Sequence, residues 1–358
     1  ASSYIAEFYN NYELIKVSRI LSISILFNTF SVVPQSLILK NKKFKKQGII
    51  TVCIQFFTGL IGIFLAYNDF SYYSLVYKSV IDSVLIFIIF FAIHPVKPAI
   101  KIQTSSLRTI SKFSSYQFLF NFINFFSRSL DNLFIGKFIG ASALGYYDKA
   151  YQLMMLPVQN LTNVITPVLH PVLSEFQNDK DQIFRSYLKV LRALATFGFP
   201  LSVFFYFAGP EIILIMFGEQ WAPSIEVFKI LALSVGIQIV LSSSGSIFQA
   251  LNRTDLLFQS GLFSSFTMIT AILVGVFFQK SLIYLSYGIL IASTINFIVG
   301  FYFLIAKALS ASFSYFLSIL LIPMCLSLTI GFSLFTISSF LQTDIIINLL
   351  VKSLIAFL

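Results

Sequence analysis

Runs of about 20 consecutive apolar residues recur along this 358-residue chain, each able to cross a hydrocarbon core about 30 Å thick at about 1.5 Å per residue. With 57% hydrophobic and only 11% charged residues, a water-soluble fold would leave much of that apolar surface uncovered. Strands of a transmembrane barrel alternate polar and apolar residues with period two, and these runs do not. The sequence therefore predicts an all-α, polytopic membrane protein.

Reading between turn signals, spans are expected at Tyr12 to Leu37, Gln47 to Tyr67, Tyr72 to Ile93, Phe113 to Phe134, Tyr147 to Leu169 and Tyr187 to Phe217. Ser224 to Ala250, Leu257 to Phe277, Leu282 to Ile305, Phe313 to Ile337 and Ile345 to Leu358 complete a set of about eleven. Basic residues orient them, because short Lys- and Arg-rich loops stay in the cytoplasm. Lys40 to Lys46, Lys97 to Lys112, Lys180 to Arg192, Arg253 and Lys307 fall on alternate connections, about 15 cations against about two, Lys137 and Lys280, on the others. The net charge of +10 is thus a topological signal. No segment gathers it on one soluble face, so a nucleic-acid partner is not expected.

Chemistry-bearing motifs are absent. Cys53 and Cys325 sit far apart in apolar runs, as small hydrophobes. His94 and His170 have no ligand-spaced neighbours, so no metal site is expected. No glycine-rich GxxxxGK loop occurs, so neither ATP nor another cofactor is expected, and the chain is not expected to be an enzyme.

The stretch Arg19 to Ser24 aligns with Lys229 to Ser234, about 210 residues on. Both helices follow an aromatic outward turn, Phe8-Tyr9 and Phe217 to Trp221, and both end in a basic inward turn. A parallel repeat of two bundles follows, as in many secondary transporters. The second copy has three spans ahead of its repeated helix and the first has none, so about 100 residues are expected to precede Ala1, giving about 14 spans.

The run from Leu130 through Gly136-Lys137-Phe138-Ile139-Gly140 to Ala143-Leu144-Gly145-Tyr146-Tyr147, then Ala150 to Pro157 and Gln159 to Thr162, resembles the oligosaccharide flippases of the MOP superfamily, in the Wzx-type branch of lipopolysaccharide and colanic-acid exporters. Ile5 to Tyr9, Phe217 to Trp221 and Ala250 to Asp255 are similar to the same branch. The resemblance implies two six-helix bundles around a central cavity: residues 1–111 as the remainder of the first, 112–307 as the second, and 308–358 as additional helices. It implies a transporter that flips undecaprenyl-diphosphate-linked oligosaccharide repeat units to the periplasmic leaflet of a bacterial inner membrane, for lipopolysaccharide or O-antigen synthesis, with a polysaccharide polymerase as a candidate receiver.

A cavity for that lipid needs cations and hydrogen-bonding groups, so intramembrane polar residues are the candidates. Arg128 and Asp131, three apart, share a helix face, extended by Ser127 and Asn132. Lys16 and Arg19 make a second such step, and Lys229 is the pseudo-equivalent of Arg19. The bland alternative is snorkelling to water. Lys149, Gln152, Gln159 and Asn160 form a stripe that either lines a sugar path or fastens helices together. Lys78 and Asp82 are spaced to neutralise each other. Asp131 and Asp82 are the candidate carriers if transport is coupled to a proton or sodium gradient. Two other classes stay open, a membrane glycosyltransferase or polymerase and a multidrug exporter of the same superfamily. Short outward connections count against the first and a cationic lean against the second.

Overall fold

A computed structural model describes residues 2–41, 43–95, 122, 125, 129–174, 176, 179–338 and 344–357. Every regular element among them is helical. The chain divides into two units, Ala1–Ile110 and Ser111–Leu358.

In the first unit, α1 (Ser2–Tyr9) leads into α2 (Glu13–Lys40), α3 (Phe44–Tyr67) and α4 (Tyr73–Ile93). The aromatic Phe8-Tyr9 segment expected as a turn is instead the last turn of α1, and the reversal comes at Asn10, with φ 52°. Asn11 then caps α2 by accepting from the Glu13 amide at 3.0 Å. α4 packs on α2 and α3. Small hydroxyl residues fill the contacts: Ser24, Ser31, Thr58, Ser74 and Ser83 are buried, whereas Phe56 is 63% and Ile63 69% exposed. This inverted pattern is the one expected when the surroundings are lipid and helices associate by close packing of small residues. Ser24 donates to the Ser79 carbonyl at 3.4 Å, and Thr58 to Asp82 Oδ1 at 3.0 Å. Tyr72 donates to Glu13 at 2.6 Å beside a stack with Tyr73 at 4.7 Å, an aromatic end of the kind that sits at a membrane interface.

The second unit begins with helical residues 129–134, named α5, which widen into a π turn over Ile135–Ile139. α6 (Ala141–Ser174), α7 (Lys180–Phe207) and α8 (Gly209–Phe217) follow. α9 (Ser224–Ala232), α10 (Val235–Ser242) and α11 (Ser244–Ala250) come next, then α12 (Thr254–Val274), α13 (Leu282–Phe301), α14 (Phe313–Ser338) and α15 (Ile345–Phe357). α12 and α13 end in π turns, Gly275–Gln279 and Tyr302–Ala308. Tyr147, Tyr187, Phe228, Phe248, Phe301 and Phe316 are fully buried in one continuous core. Phe301 stacks on Phe316 at 4.6 Å.

Among the described residues, seven helices are long and apolar enough to span a membrane, α2, α3, α4, α7, α12, α13 and α14. The bent run α9 to α11 makes an eighth. The remaining expected spans depart for separate reasons. The span placed at Tyr147 to Leu169 is helical but carries the polar stripe of α6 through its middle. The one at Phe113 to Phe134 lies mostly outside the described residues. α15, at 13 residues, reaches only about 20 Å. The expected helix Tyr187 to Phe217 starts earlier, where Asp179 caps α7 by accepting from the Gln182 amide at 2.9 Å. It breaks at Ala208 because Pro210 lacks an amide hydrogen and opens α8.

α15 rests on α7, α8 and α14. It brings Lys352 Nζ to 2.5 Å from Glu211 Oε1 on α8 and 2.8 Å from the Phe207 carbonyl. Both side chains of this ion pair are 8% exposed.

Candidate functional site

The second unit carries an open-sided cavity of about 400 Å³ lined by α6, α10, α11, α12 and α13, with Gln159 and Asn163 at its exposed side. Helical spacing builds it. Met155, Val158, Gln159, Thr162 and Asn163 lie on one face of α6, and Leu257, Ser260, Gly261 and Ser264 on one face of α12. Gln238, Leu241 and Ser242 face it from α10, Ser244 from α11 and Asn296 from α13. Among the described residues the lining carries no ionisable side chain. Its polar groups are amides and hydroxyls, each able to donate and to accept.

The wall formed by α10 exists because the helix is broken. α9 and the α10–α11 run meet at 47° around Leu233 and Ser234. Breaking a helix inside a membrane frees backbone groups that must find partners. The Gly236 amide donates to Ser202 Oγ of α7 at 2.6 Å, and Ser202 Oγ donates to the Gly198 carbonyl at 3.1 Å. That contact requires glycine, since a Cβ on Gly236 would sit 2.6 Å from Phe199 Cδ1 and 2.8 Å from the Gly198 carbonyl. Ser234, at the break, accepts from Gln238 Nε2 at 2.9 Å and fixes that amide at the cavity wall. On the opposite wall Asn296 accepts from Thr267 at 2.6 Å, and its amide reaches the Ser264 carbonyl at 3.5 Å. Gln159 and Asn163 make no hydrogen bond among the described residues.

The residues expected from the sequence are dispersed. Of the α6 stripe, Gln159 lines the cavity, while Asn160 is exposed outside it. Gln152 donates to Asp148 at 2.8 Å, and Lys149 Nζ lies 5.9 Å from the ring centres of both Phe217 and Trp221. Asp131 is 5% exposed. It accepts from Tyr147 Oη at 2.6 Å and from the Asn132 amide at 2.8 Å, while the Asn132 side chain is exposed. Lys229 pairs with Glu226 at 2.8 Å and lies 5.3 Å from the Tyr206 ring. In the first unit Lys16 and Arg19 are exposed and make no ion pair among the described residues. Lys78 and Asp82 do not pair: Asp82 bonds Thr58, and the Lys78 stem lies against Gly62. Arg128 and Ser127 lie outside the described residues.

Sequence reasoning that followed charges missed the cavity's other polar groups, Gln238, Ser242, Ser260, Ser264 and Asn296. A signal was present, because Gln238 with Ser242 and Ser260 with Ser264 are pairs four apart inside apolar helices, on one face each. It also missed Glu211 and Lys352, lone charges in apolar runs 141 residues apart.

The chain is 26% identical over 351 residues to the teichuronic acid biosynthesis protein TuaB of Bacillus subtilis, covering 94% of this chain and 70% of that protein. It is 26% identical over 232 residues to the lipopolysaccharide biosynthesis protein WzxC of Escherichia coli, covering 65% of this chain and 47% of that one, about half its length. The fold is similar to that of a solved structure described as lipid II flippase MurJ, inward closed conformation, with a TM-score of 0.75, 18% identity, and coverage of 96% of this chain and 72% of that one. The sequence pattern described as "Polysaccharide biosynthesis protein" matches residues 1–226, well over half the chain, so this polytopic all-α membrane protein belongs to the polysaccharide biosynthesis protein family.

Proposed function

We propose that this chain is part of a flippase that carries undecaprenyl-diphosphate-linked oligosaccharide repeat units to the outer leaflet of a bacterial cytoplasmic membrane, by alternating access of two helix bundles. The observation that carries the reading is the hydrogen-bonding cavity of Gln159, Asn163, Gln238 and Asn296 inside a helical unit whose outer surface is apolar. A static membrane core has no need of such a space, because unsatisfied polar groups are costly there. Family membership and the flippase fold support the same reading. Exposed cations with no ion-pair partner among the described residues, Lys16 and Arg19, suit a diphosphate, and Arg128 is proposed for the same task. Asp131 and Asp82, carboxylates held by Tyr147 and Thr58, are the proposed carriers of a coupling proton or sodium ion.

The full-length gene tested in a flippase-null strain decides the matter. Rescue of surface polysaccharide by wild type, and its loss in Lys16→Ala/Arg19→Ala at matched membrane levels, is the expected result. Well-expressed wild type that fails to rescue across several repeat-unit structures overturns the proposal.

A further inference from the structure

We infer that the cavity of the second unit is a subsite for uncharged sugar residues; the inference rests on the lipid-linked saccharide reading above. The lining is the reason. A sugar hydroxyl is donor and acceptor at once, and the amides of Gln159, Asn163, Gln238 and Asn296 and the hydroxyls of Ser260 and Ser264 offer both roles. A diphosphate or a uronate carboxylate is an anion that only accepts hydrogen bonds. With no Lys, Arg or His among the described lining residues, the cavity gives such an anion nothing to offset its desolvation.

Shape and order agree with this assignment. The volume of about 400 Å³ lies within the roughly 300–1,000 Å³ of small-molecule sites. Apolar groups from Met155, Val158, Leu241 and Leu257 alternate with the polar ones, as the C–H faces and hydroxyl edges of a pyranose require. Gln238 and Asn296 are held in place by Ser234 and Thr267. Gln159 and Asn163, one turn apart on α6, have no partner among the described residues. Two amides are thus preorganised as a frame, and two are available to the ligand.

The test uses the full-length protein in nanodiscs and native mass spectrometry with three probe types: undecaprenyl diphosphate, a panel of undecaprenyl-diphosphate-linked neutral disaccharides, and their uronate-containing counterparts. Wild type is expected to hold a neutral disaccharide probe at least about 10-fold more tightly than the sugar-free lipid, and more tightly than its uronate counterpart. Gln159→Leu/Asn163→Leu removes two hydrogen-bonding groups while keeping branched side chains of similar heavy-atom count. It should bring the sugar-bearing to sugar-free ratio close to one while leaving sugar-free affinity unchanged. Ser260→Ala/Ser264→Ala on α12 guards against a folding defect specific to α6 and should lower the same ratio. Wild type that prefers sugar-bearing lipid while both variants keep that preference overturns the subsite and leaves the flippase reading standing. Equal binding of sugar-bearing and sugar-free lipid by wild type also overturns the subsite. Wild type that binds none of the probes overturns the flippase reading, and the subsite with it.

Discussion

Lys352→Met tests how the C-terminal helix is held. In the native protein Lys352 Nζ is 2.5 Å from Glu211 Oε1 and 2.8 Å from the Phe207 carbonyl, with both charged side chains 8% exposed. Removing one partner leaves the other charge buried and unpaired. That costs about 3–5 kcal/mol in buried pairs, and insertion scales give a similar figure of about 2.5–3.5 kcal/mol for a charge at the centre of a membrane helix. A loss of about 3 kcal/mol corresponds to a melting midpoint lower by about 6 °C or more in a unit the size of Ser111–Leu358. Replacing both partners, as Glu211→Leu/Lys352→Met, should be close to neutral, because Glu211 Oε2 has no hydrogen-bond partner among the described residues and the pair already carries an unrecovered desolvation cost. The assay is thermal unfolding in nanodiscs of the two single variants and the double. If the double variant loses the sum of the singles, the two charges are energetically independent and the reasoning is refuted.

Gly236→Ala should destabilise by about 1–3 kcal/mol in the same assay, since its methyl meets Phe199 and the Gly198 carbonyl under 3 Å. Gly245→Ala, with open space around it, should be neutral or stabilising by up to about 1 kcal/mol, and equal effects at the two sites contradict the close-packed break. Tyr147→Phe withdraws the hydroxyl from buried Asp131 and should cost about 1–3 kcal/mol; an unchanged midpoint would show that the bond contributes nothing. Cys53 and Cys325, exposed on α3 and α14, should react in intact membranes with a lipid-soluble maleimide and resist a charged one. Rapid labelling by the charged reagent would remove those faces from the bilayer.

Helix positions were largely legible because lipid imposes a length and a composition on each span, and α2 to α4 and α12 to α14 follow the apolar runs within a few residues. What the apolar runs conceal is where a helix breaks. Pro210 marked one break openly. The bend at Ser234 has no proline, and it depends on Ser202 and the Gly198–Gly236 contact, both made across helices. Reasoning from charges reached the site only at Gln159, where polarity recurs with helical period, although the pairs Gln238 with Ser242 and Ser260 with Ser264 carried the same kind of signal. An isolated amide such as Asn296 reads as an ordinary tolerated residue until five helices converge on it. Charged and polar candidates drew attention and two of them proved to be locally partnered, Lys229 by Glu226 and Gln152 by Asp148, because a neighbour one turn away satisfies a polar group before any ligand does.

Transport itself is the most direct test. Full-length protein in liposomes containing a fluorescent undecaprenyl-diphosphate-linked saccharide, quenched from outside by a membrane-impermeant reagent, reports the fraction of headgroups reaching the outer leaflet. Headgroups of the inner leaflet should become quenchable in protein-containing vesicles much faster than in empty ones, with Gln159→Leu/Asn163→Leu slowed. Identical protected fractions with and without correctly folded protein would contradict the claim that this chain belongs to a lipid-linked oligosaccharide flippase.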